Sequence, residues 1–303
     1  MFLDHVTHYT AFSCRLMGAK AARVCTFFLF ALLSSCSSGK PTKKSPKPRL
    51  ARISIAGSSA MLPLVTEAAN RYMRKHPDIA IDVSAGGSAR GVEGVLRQEL
   101  SVGTSDVNAE SAIAPKLEDH LVAVTGFATM ANRGPFNDKI RSLSLSQLKG
   151  IFSGAIKNWS EIGGSAQAIV VINRRKGSGT RVTFGNIVLG GDGFVQGVEE
   201  ESSALVRTML EQTTGAISYL ALSYLRESLI CFSVAGIAPN NENVASGAYP
   251  IWSYEHMYTF GPATGAVKDF LDFMLTTEVQ NGIVPSSGFV PIARMRVKTS
   301  ANP

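Results

Sequence analysis

The feature that most constrains this fold is a layout that occurs three times: an apolar strand, a turn of glycine and serine, and then a helix. The three turns lie at residues 57–60, 86–88 and 177–180. In an open α/β sheet such turns gather at the carboxyl ends of the strands, where ligands bind. Because free backbone N–H groups and the helix dipole meet at a helix start, these turns favour an anion.

The turn that follows the apolar run 168–172 also carries side chains suited to an oxyanion. Arg174 offers a guanidinium that can grip an oxyanion with two parallel bonds, and Ser178 and Thr180 add hydroxyl donors. The alternative is an ordinary strand-to-helix turn with cations that face solvent. Neither nucleotide-binding glycine pattern, G-x-x-x-x-G-K-[ST] or G-x-G-x-x-G, occurs in the chain, so no nucleotide is implied.

Hydrophobic periodicity predicts an alternation of strands and helices along the whole chain. Predicted strands cover residues 51–56, 79–83, 102–104, 121–130, 168–172, 215–219 and 249–259. Predicted helices cover residues 61–75, 92–100, 181–188, 203–211 and 267–276.

Two of the predicted strands are long enough to run between two domains. These runs, 121–130 and 249–259, predict that the chain passes twice between two α/β lobes. Lobe I then comprises residues 51–124 and 250–303, and lobe II comprises residues 125–249. A ligand cleft is expected between them, since clefts at domain interfaces are common binding sites.

The net charge of +7 lies almost entirely in the first part of the chain. Positions 1–52 hold nine of the 30 Lys and Arg residues and one of the 23 acids, so the remainder has a net charge of −1. A basic nucleic-acid-binding domain is therefore not indicated, and no nucleic-acid partner is expected.

The N-terminus has the pattern of an export signal. Basic residues precede a short apolar run at 24–33, and small residues lead to Cys36. Residues 33–36 are similar to a bacterial lipobox, which predicts a signal peptide over residues 1–35 and lipid on Cys36. Met17 would be a better start of such a signal than Met1. The alternative is a plain secretory signal in which Cys36 is incidental.

Residues 36–50 are rich in Ser, Gly, Lys and Pro, which predicts a flexible basic tether. Together with the signal, it predicts a protein held on the extracytoplasmic side of a bacterial membrane. Only Cys231 would remain in the folded part, so no disulfide is expected within it. No cluster of ligand-type residues predicts a metal, and no motif predicts a cofactor.

Several short motifs, taken together, carry a family resemblance over roughly residues 53–292. They are residues 57–60 with Pro63, 86–88, 103–106, 151–154 with Asn158 and Trp159, 172–174 with 177–181, and 251–256. With these motifs the chain resembles the phosphate-binding proteins of Pst-type phosphate ABC transporters, in their lipid-anchored branch. That family has the periplasmic-binding-protein type II fold, an α/β fold with two lobes that close on the ligand.

The resemblance implies a set of phosphate-binding residues. They are Ser59, Ala60, Ser88, Asp106, Arg174, Ser178, Gly179 and Thr180. It implies that a monomeric, non-enzymatic receptor binds inorganic phosphate and delivers it to membrane permease subunits with their cytoplasmic ATPase. Asp106 would accept a hydrogen bond from a protonated phosphate oxygen and repel sulfate, which carries no proton. The alternative role of Asp106 is a loop cap for its own backbone.

The sequence leaves the roles of two further arginines open. Arg90 stands where the family usually has a small residue, and it can face either the cleft mouth or solvent. Arg181 can brace Asp106 or the bound ion, or it can simply pair with a surface acid.

Two competing functions are also open. One is a receptor or sensor for another tetrahedral oxyanion. The other is a serine hydrolase or phosphatase with Ser178 as nucleophile and His256 as base, although the chain lacks the G-x-S-x-G motif.

Overall fold

The computed structural model describes residues 50–297. The predicted signal peptide, Cys36 and nearly all of the predicted tether lie outside this range. Within it, no helix is long and apolar enough to cross a membrane.

Strands are found throughout the described part of the chain. They are β1 (Ala51–Gly57), β2 (Ile79–Ala85), β3 (Val102–Ser105), β4 (Leu117–Asn132), β5 (Ser142–Leu143), β6 (Val170–Arg174), β7 (Val198–Glu200), β8 (Ala216–Ala221), β9 (Leu229–Cys231), β10 (Ser233–Val234) and β11 (Trp252–Phe260).

Helices alternate with these strands. They are α1 (Leu62–Lys75), α2 (Ser88–Leu96), α3 (Leu145–Phe152), α4 (Gly179–Val188), α5 (Ser203–Gln212), α6 (Asn241–Ala245), α7 (Gly265–Met274) and α8 (Val284–Ser286). The mixed α/β character predicted from periodicity is therefore confirmed.

The main sheet has the strand order β2-β1-β3-β11-β4-β8-β6-β7, and β9 also pairs with β4. Strand β4 has two roles in it. Its first part pairs antiparallel with β11 from Leu117 to Gly126, and its second part pairs with β8 from Phe127 to Ala131. The two long strands predicted to connect the lobes are thus β4 and β11, and they lie side by side.

Buried apolar side chains form two clusters, and each cluster includes residues of β4 and β11. One is built around Ile53, Leu64, Phe270 and their neighbours, and the other around Phe127, Phe184, Tyr219 and theirs. The sheet runs through both, and together they form one compact unit. The lobe boundaries given above stay a prediction.

One helix begins earlier than its sequence pattern predicts. The apolar spacing predicted a start at residue 92, but α2 begins at Ser88 after Gly87, which has φ 89°. Gly91 lies in this early part of the helix, and because glycine is a poor helix former, helix propensity does not predict it. Glycine is required there because a Cβ would meet the carbonyl oxygen of Thr104 at 2.7 Å.

Candidate functional site

The turns that follow β1, β2, β3 and β6 meet at one place in the structure. All eight side chains or backbone positions implied by the family resemblance are buried there. Strands β1, β2 and β3 run parallel to one another, whereas β6 runs in the opposite sense, because its parallel neighbour β8 is antiparallel to β4. Residues far apart in the chain therefore form one polar, enclosed site.

Arg174 occupies the centre of this site and is 1% exposed. Its Nη1 atom donates to Ser203 Oγ at 3.0 Å, and its Nη2 atom donates to Ser59 Oγ and to the Glu201 carbonyl, each at 3.0 Å. Its Nε atom has no partner within residues 50–297. Burial lowers the pKa of Arg174, and the Asp106 carboxylate opposes that shift. None of the contacts to the guanidinium comes from a carboxylate, so its positive charge is not neutralised by direct contact.

Asp106 follows β3 and is 1% exposed. Ser58 donates its hydroxyl to Oδ1, and Thr180 donates its hydroxyl to Oδ2 at 2.6 Å. The backbone N–H of Asp106 donates to Ser88 Oγ at 3.1 Å. The carboxylate therefore accepts hydrogen bonds from both sides of the site, from the turn after β1 and from the start of α4.

The turns after β2 and β6 touch directly. The N–H of Ala89 donates to the Gly177 carbonyl at 3.0 Å. A Cβ on Gly179 would lie 2.3 Å from Ser88 Oγ and 2.9 Å from the Asp106 Cβ. Glycine is therefore the residue that allows these turns to approach so closely.

The helix starts supply the remaining polar groups. Ser178 is the N-cap of α4, where its Oγ accepts from the Arg181 N–H at 3.3 Å. The N–H of Ala60 donates to Ser58 Oγ at 3.1 Å, just before α1. Two helix N-termini thus point their positive dipole ends at the region around Arg174 and Asp106.

The structure shows the surroundings of Arg181 and Arg90, the two arginines whose roles the sequence leaves open. Arg181 is 6% exposed; it donates to Asp192 at 2.8 Å and to Glu199 at 2.9 Å, and its Nη1 also donates to the Arg174 carbonyl at 2.6 Å. It therefore braces the backbone of Arg174. Arg90 is exposed and lines a cavity of about 280 Å³ at the mouth of the site, together with Arg175 and Lys176.

Sequence reasoning missed four residues of this site. They are Ser58, Ser203, Tyr224 and Glu255. Ser58 could have been found, because it is the other serine, beside Ser59, in the turn at residues 57–60. The signal for Glu255 was an acid inside an otherwise apolar and aromatic strand. Ser203 and Tyr224, whose hydroxyl donates to the Ser59 carbonyl at 2.7 Å, come close only through the tertiary fold.

A groove of about 890 Å³ adjoins the site. Its lining residues come from α2 and the residues after β3, from α4, and from Trp252 and its neighbours. Trp252 is 7% exposed. The groove therefore has walls from both sides of the site.

Within residues 50–297, Ser178 and His256, the proposed nucleophile and base of a hydrolase, have separate partners. His256 Nδ1 contacts the Asp119 carboxylate at 2.9 Å, while the Ser178 hydroxyl accepts the helix-cap bond described above. Within residues 50–297 no group of three or more His, Cys, Asp or Glu side chains is arranged to hold a metal ion.

Comparison with known proteins identifies the family of this chain. Residues 42–278 match the model of the PBP superfamily domain. The chain is 42% identical over 272 residues to the phosphate-binding protein PstS of Bacillus subtilis. The aligned region covers 88% of this chain and 90% of that protein. It is 26% identical over 264 residues to PstS of Borreliella burgdorferi, covering 79% of this chain and 90% of that one.

Solved structures show the same likeness. A putative phosphate ABC transporter substrate-binding protein from Clostridium perfringens, with bound phosphate, superposes with a TM-score of 0.75 at 27% identity, over 80% of this chain and 99% of that one. An ABC-type phosphate transport receptor from Vibrio cholerae shares the fold, with a TM-score of 0.65 at 22% identity, over 80% of this chain and 100% of that chain. The chain therefore belongs to the PBP superfamily and, within it, to the PstS family of phosphate-binding proteins.

Proposed function

We propose that this protein is an extracytoplasmic solute-binding protein that captures inorganic phosphate and delivers it to the permease of an ABC transporter. The observation that carries the proposal is the guanidinium of Arg174, which is buried among neutral acceptors and has no carboxylate in direct contact within residues 50–297. An uncompensated buried cation is costly unless an anion joins it.

The residues around Arg174 match a protonated tetrahedral oxyanion. Hydroxyls of Ser59 and Thr180 and the N-termini of α1 and α4 can donate to phosphate oxygens. Asp106 can only accept when it is ionised, so it suits an oxygen that carries a proton. Sulfate has no proton to offer, and its charge would face the carboxylate unpaired.

Ligand capture by closure is supported by contacts that join the two sides of the site. Ser59 with Arg174, and Asp106 with Thr180, connect turns on opposite sides of the groove. The connecting strands β4 and β11 are the elements about which the sides would move. A hinge at these strands would open a path for the ion.

We further propose that Cys36 carries lipid and anchors the protein, as a monomer, on the extracytoplasmic side of the membrane. This rests on the lipobox-like sequence before Cys36, which lies outside the described residues. The basic tether would add attraction to anionic lipids. Growth in a labelled fatty acid tests this proposal, and a Cys36→Ala variant that keeps the label would contradict it.

The experiment for phosphate binding is a calorimetric titration of the purified protein with phosphate and with sulfate. We expect tight binding of phosphate and at least a hundredfold weaker binding of sulfate. We expect Asp106→Asn to bind phosphate more weakly and to lose most of the discrimination, because an amide no longer repels sulfate. Equal affinity of the wild-type protein for the two ions would overturn the proposal and favour another oxyanion.

We infer that the protein performs no chemistry on its ligand. No hydrogen bond joins Ser178 to His256 within residues 50–297: Ser178 Oγ accepts the cap bond from the Arg181 N–H, and His256 Nδ1 contacts Asp119. A Ser178 nucleophile activated by His256 would need a direct contact between them. Hydrolysis of a chromogenic phosphate ester that disappears in Ser178→Ala would contradict this inference.

A further inference from the structure

Glu255 is a buried acid that the proposed phosphate site does not yet use. It lies on β11 and is 0% exposed. Neither of its carboxyl oxygens has a hydrogen-bond partner within residues 50–297. A buried polar group without a partner is costly, and an ionised one is more so, which calls for an explanation.

The fold places Glu255 beside Asp106. Strand β11 runs antiparallel to β3, with His256 opposite Ser105, so Glu255 lies alongside the next residue, Asp106. The pairing of β11 with β4 shifts register between Glu255 and His256. Such a bulge bends a strand and re-aims its side chains. Two acids that are far apart in the chain thus meet at the edge of the site.

Burial raises the pKa of Glu255 well above its usual range, and the charge of Asp106 raises it further. Asp106 itself accepts two hydroxyl donors, from Ser58 and Thr180. Two neighbouring buried carboxyls do not both ionise readily, so one of them retains a proton. The hydrogen-bond pattern makes Asp106 the acceptor and leaves the proton to Glu255.

Within residues 50–297, the strands paired with β11 place no further charged residue opposite Glu255. Strand β4 places Ala123 opposite Glu255, while its acids Glu118 and Asp119 lie opposite Thr259 and Tyr258. Of the charged residues of α2, Arg90 lines the cavity at the mouth of the site, and Glu93 lines the groove that Asp106 also lines. Arg174 acts on Asp106 and not directly on Glu255.

We propose that Glu255 and Asp106 form a carboxyl pair that holds one proton, carried by Glu255, and that this pair determines which protonation state of phosphate the closed site accepts. This inference rests on the proposed phosphate-binding function. While Glu255 is neutral, the site contains one carboxylate acceptor and the cation of Arg174. An ionised Glu255 would add a second buried negative charge beside the bound anion and weaken its binding.

The test compares the wild-type protein with Glu255→Gln, which keeps the size of the side chain and a hydrogen-bond donor but cannot ionise. Phosphate affinity is measured by calorimetry from about pH 6 to pH 9.5. We expect similar affinities near pH 6, within about twofold. As the pH rises, the wild-type affinity should fall relative to that of the variant, by about fivefold or more at the upper end, because only the wild-type protein must keep a proton on residue 255.

A matched control is Glu118→Gln, the same change of carboxylate to amide on the neighbouring strand β4. Its side chain accepts a hydrogen bond from Ala263 N–H at 2.8 Å, which the amide oxygen can replace. The control should follow the wild-type profile at every pH. Proton uptake upon binding, measured in two buffers of different ionisation heat, should be lower in Glu255→Gln than in both other proteins.

Parallel pH profiles of wild type and Glu255→Gln, with equal proton uptake, would overturn the carboxyl pair while phosphate binding itself stands. Absence of phosphate binding by the wild-type protein at every pH would instead overturn the proposed function. If Glu255→Gln does not fold, Glu255→Met, which also lacks a charge, must show the same loss of pH dependence for the inference to survive.

Discussion

Two buried arginines, Arg174 and Arg181, flank the same turn, and their surroundings differ in one respect. Arg181 forms ion pairs with Asp192 and Glu199 and stacks on the Phe194 ring with its guanidinium carbon 4.5 Å from the ring centroid. Arg174 is bound by two serine hydroxyls and a backbone carbonyl. Both guanidinium groups are buried, yet only Arg181 is neutralised by carboxylates that touch it.

The pKa directions of the two side chains reflect this difference. Burial lowers the pKa of Arg174. Burial also acts to lower the pKa of Arg181, but the hydrogen bonds to Asp192 and Glu199 raise this pKa overall. A cation paired within the protein stabilises the fold, and a cation surrounded by neutral acceptors is available to an anion. The comparison separates an arginine that supports the site from the one that we propose binds the ligand.

The largest effect is expected from Arg174→Ala. Loss of the buried cation should weaken phosphate binding by about 3 kcal/mol or more, roughly a hundredfold or more in Kd. Arg174→Lys should recover part of this affinity, because it restores the charge but not the planar fork. Calorimetric titration with phosphate measures both variants.

Stability measurements sharpen this first prediction. Arg174→Ala loses three hydrogen bonds but also removes a buried cation that no carboxylate contacts within the described chain, so the two effects partly offset, and the melting temperature should fall less than in Arg181→Gln. A large loss of stability in Arg174→Ala with retained phosphate binding would assign Arg174 the structural role instead.

Arg181→Gln should reduce the stability of the fold more than it reduces phosphate affinity. The variant loses two ion pairs and the donor to the Arg174 carbonyl, so we expect a loss of about 2 kcal/mol in the free energy of unfolding. Phosphate affinity should fall by less than about tenfold, since Arg181 acts only through the position of Arg174. Urea denaturation and calorimetry measure the two effects, and a greater loss of affinity than in Arg174→Ala would reverse the assignment.

The smallest effect is expected from Arg175→Ala and Lys176→Ala. Their side chains are 59% and 83% exposed and pair with Glu201 and Asp192. Exposed ion pairs contribute little, so phosphate affinity at 0.15 M salt should change by less than about threefold. A loss similar to that of Arg174→Ala would show that the cations at the mouth, and not the buried one, bind the ion.

Much of the fold and the main site residues could be predicted because their signals are local. Glycine and serine after an apolar strand mark a turn, and apolar periodicity marks α1 and α7. The resemblance then brought Ser59, Asp106 and Arg174 into one site. Which of them contact phosphate stays a prediction, which the titrations above can decide.

What could not be predicted depends on contacts between distant parts of the chain. Ser203 and Ser59 are 144 positions apart, and no local pattern joins them. Glu255 is next to Asp106 only because β11 enters the sheet between β3 and β4. The early start of α2 was hidden since Gly91, a poor helix former, is chosen for close packing and not for helix propensity.

The position of Trp252 makes its fluorescence a candidate signal for the opening and closing of the groove. The chain contains two tryptophans. Trp159 is fully buried, its indole N–H donates to the Gly215 carbonyl at 3.1 Å, and it is not among the residues that line the groove. Trp252 lines the groove, so the hinge opening proposed above would change its contact with water, whereas Trp159 would keep its environment. In a Trp159→Phe background, the emission of Trp252 would therefore follow closure in real time without an attached dye.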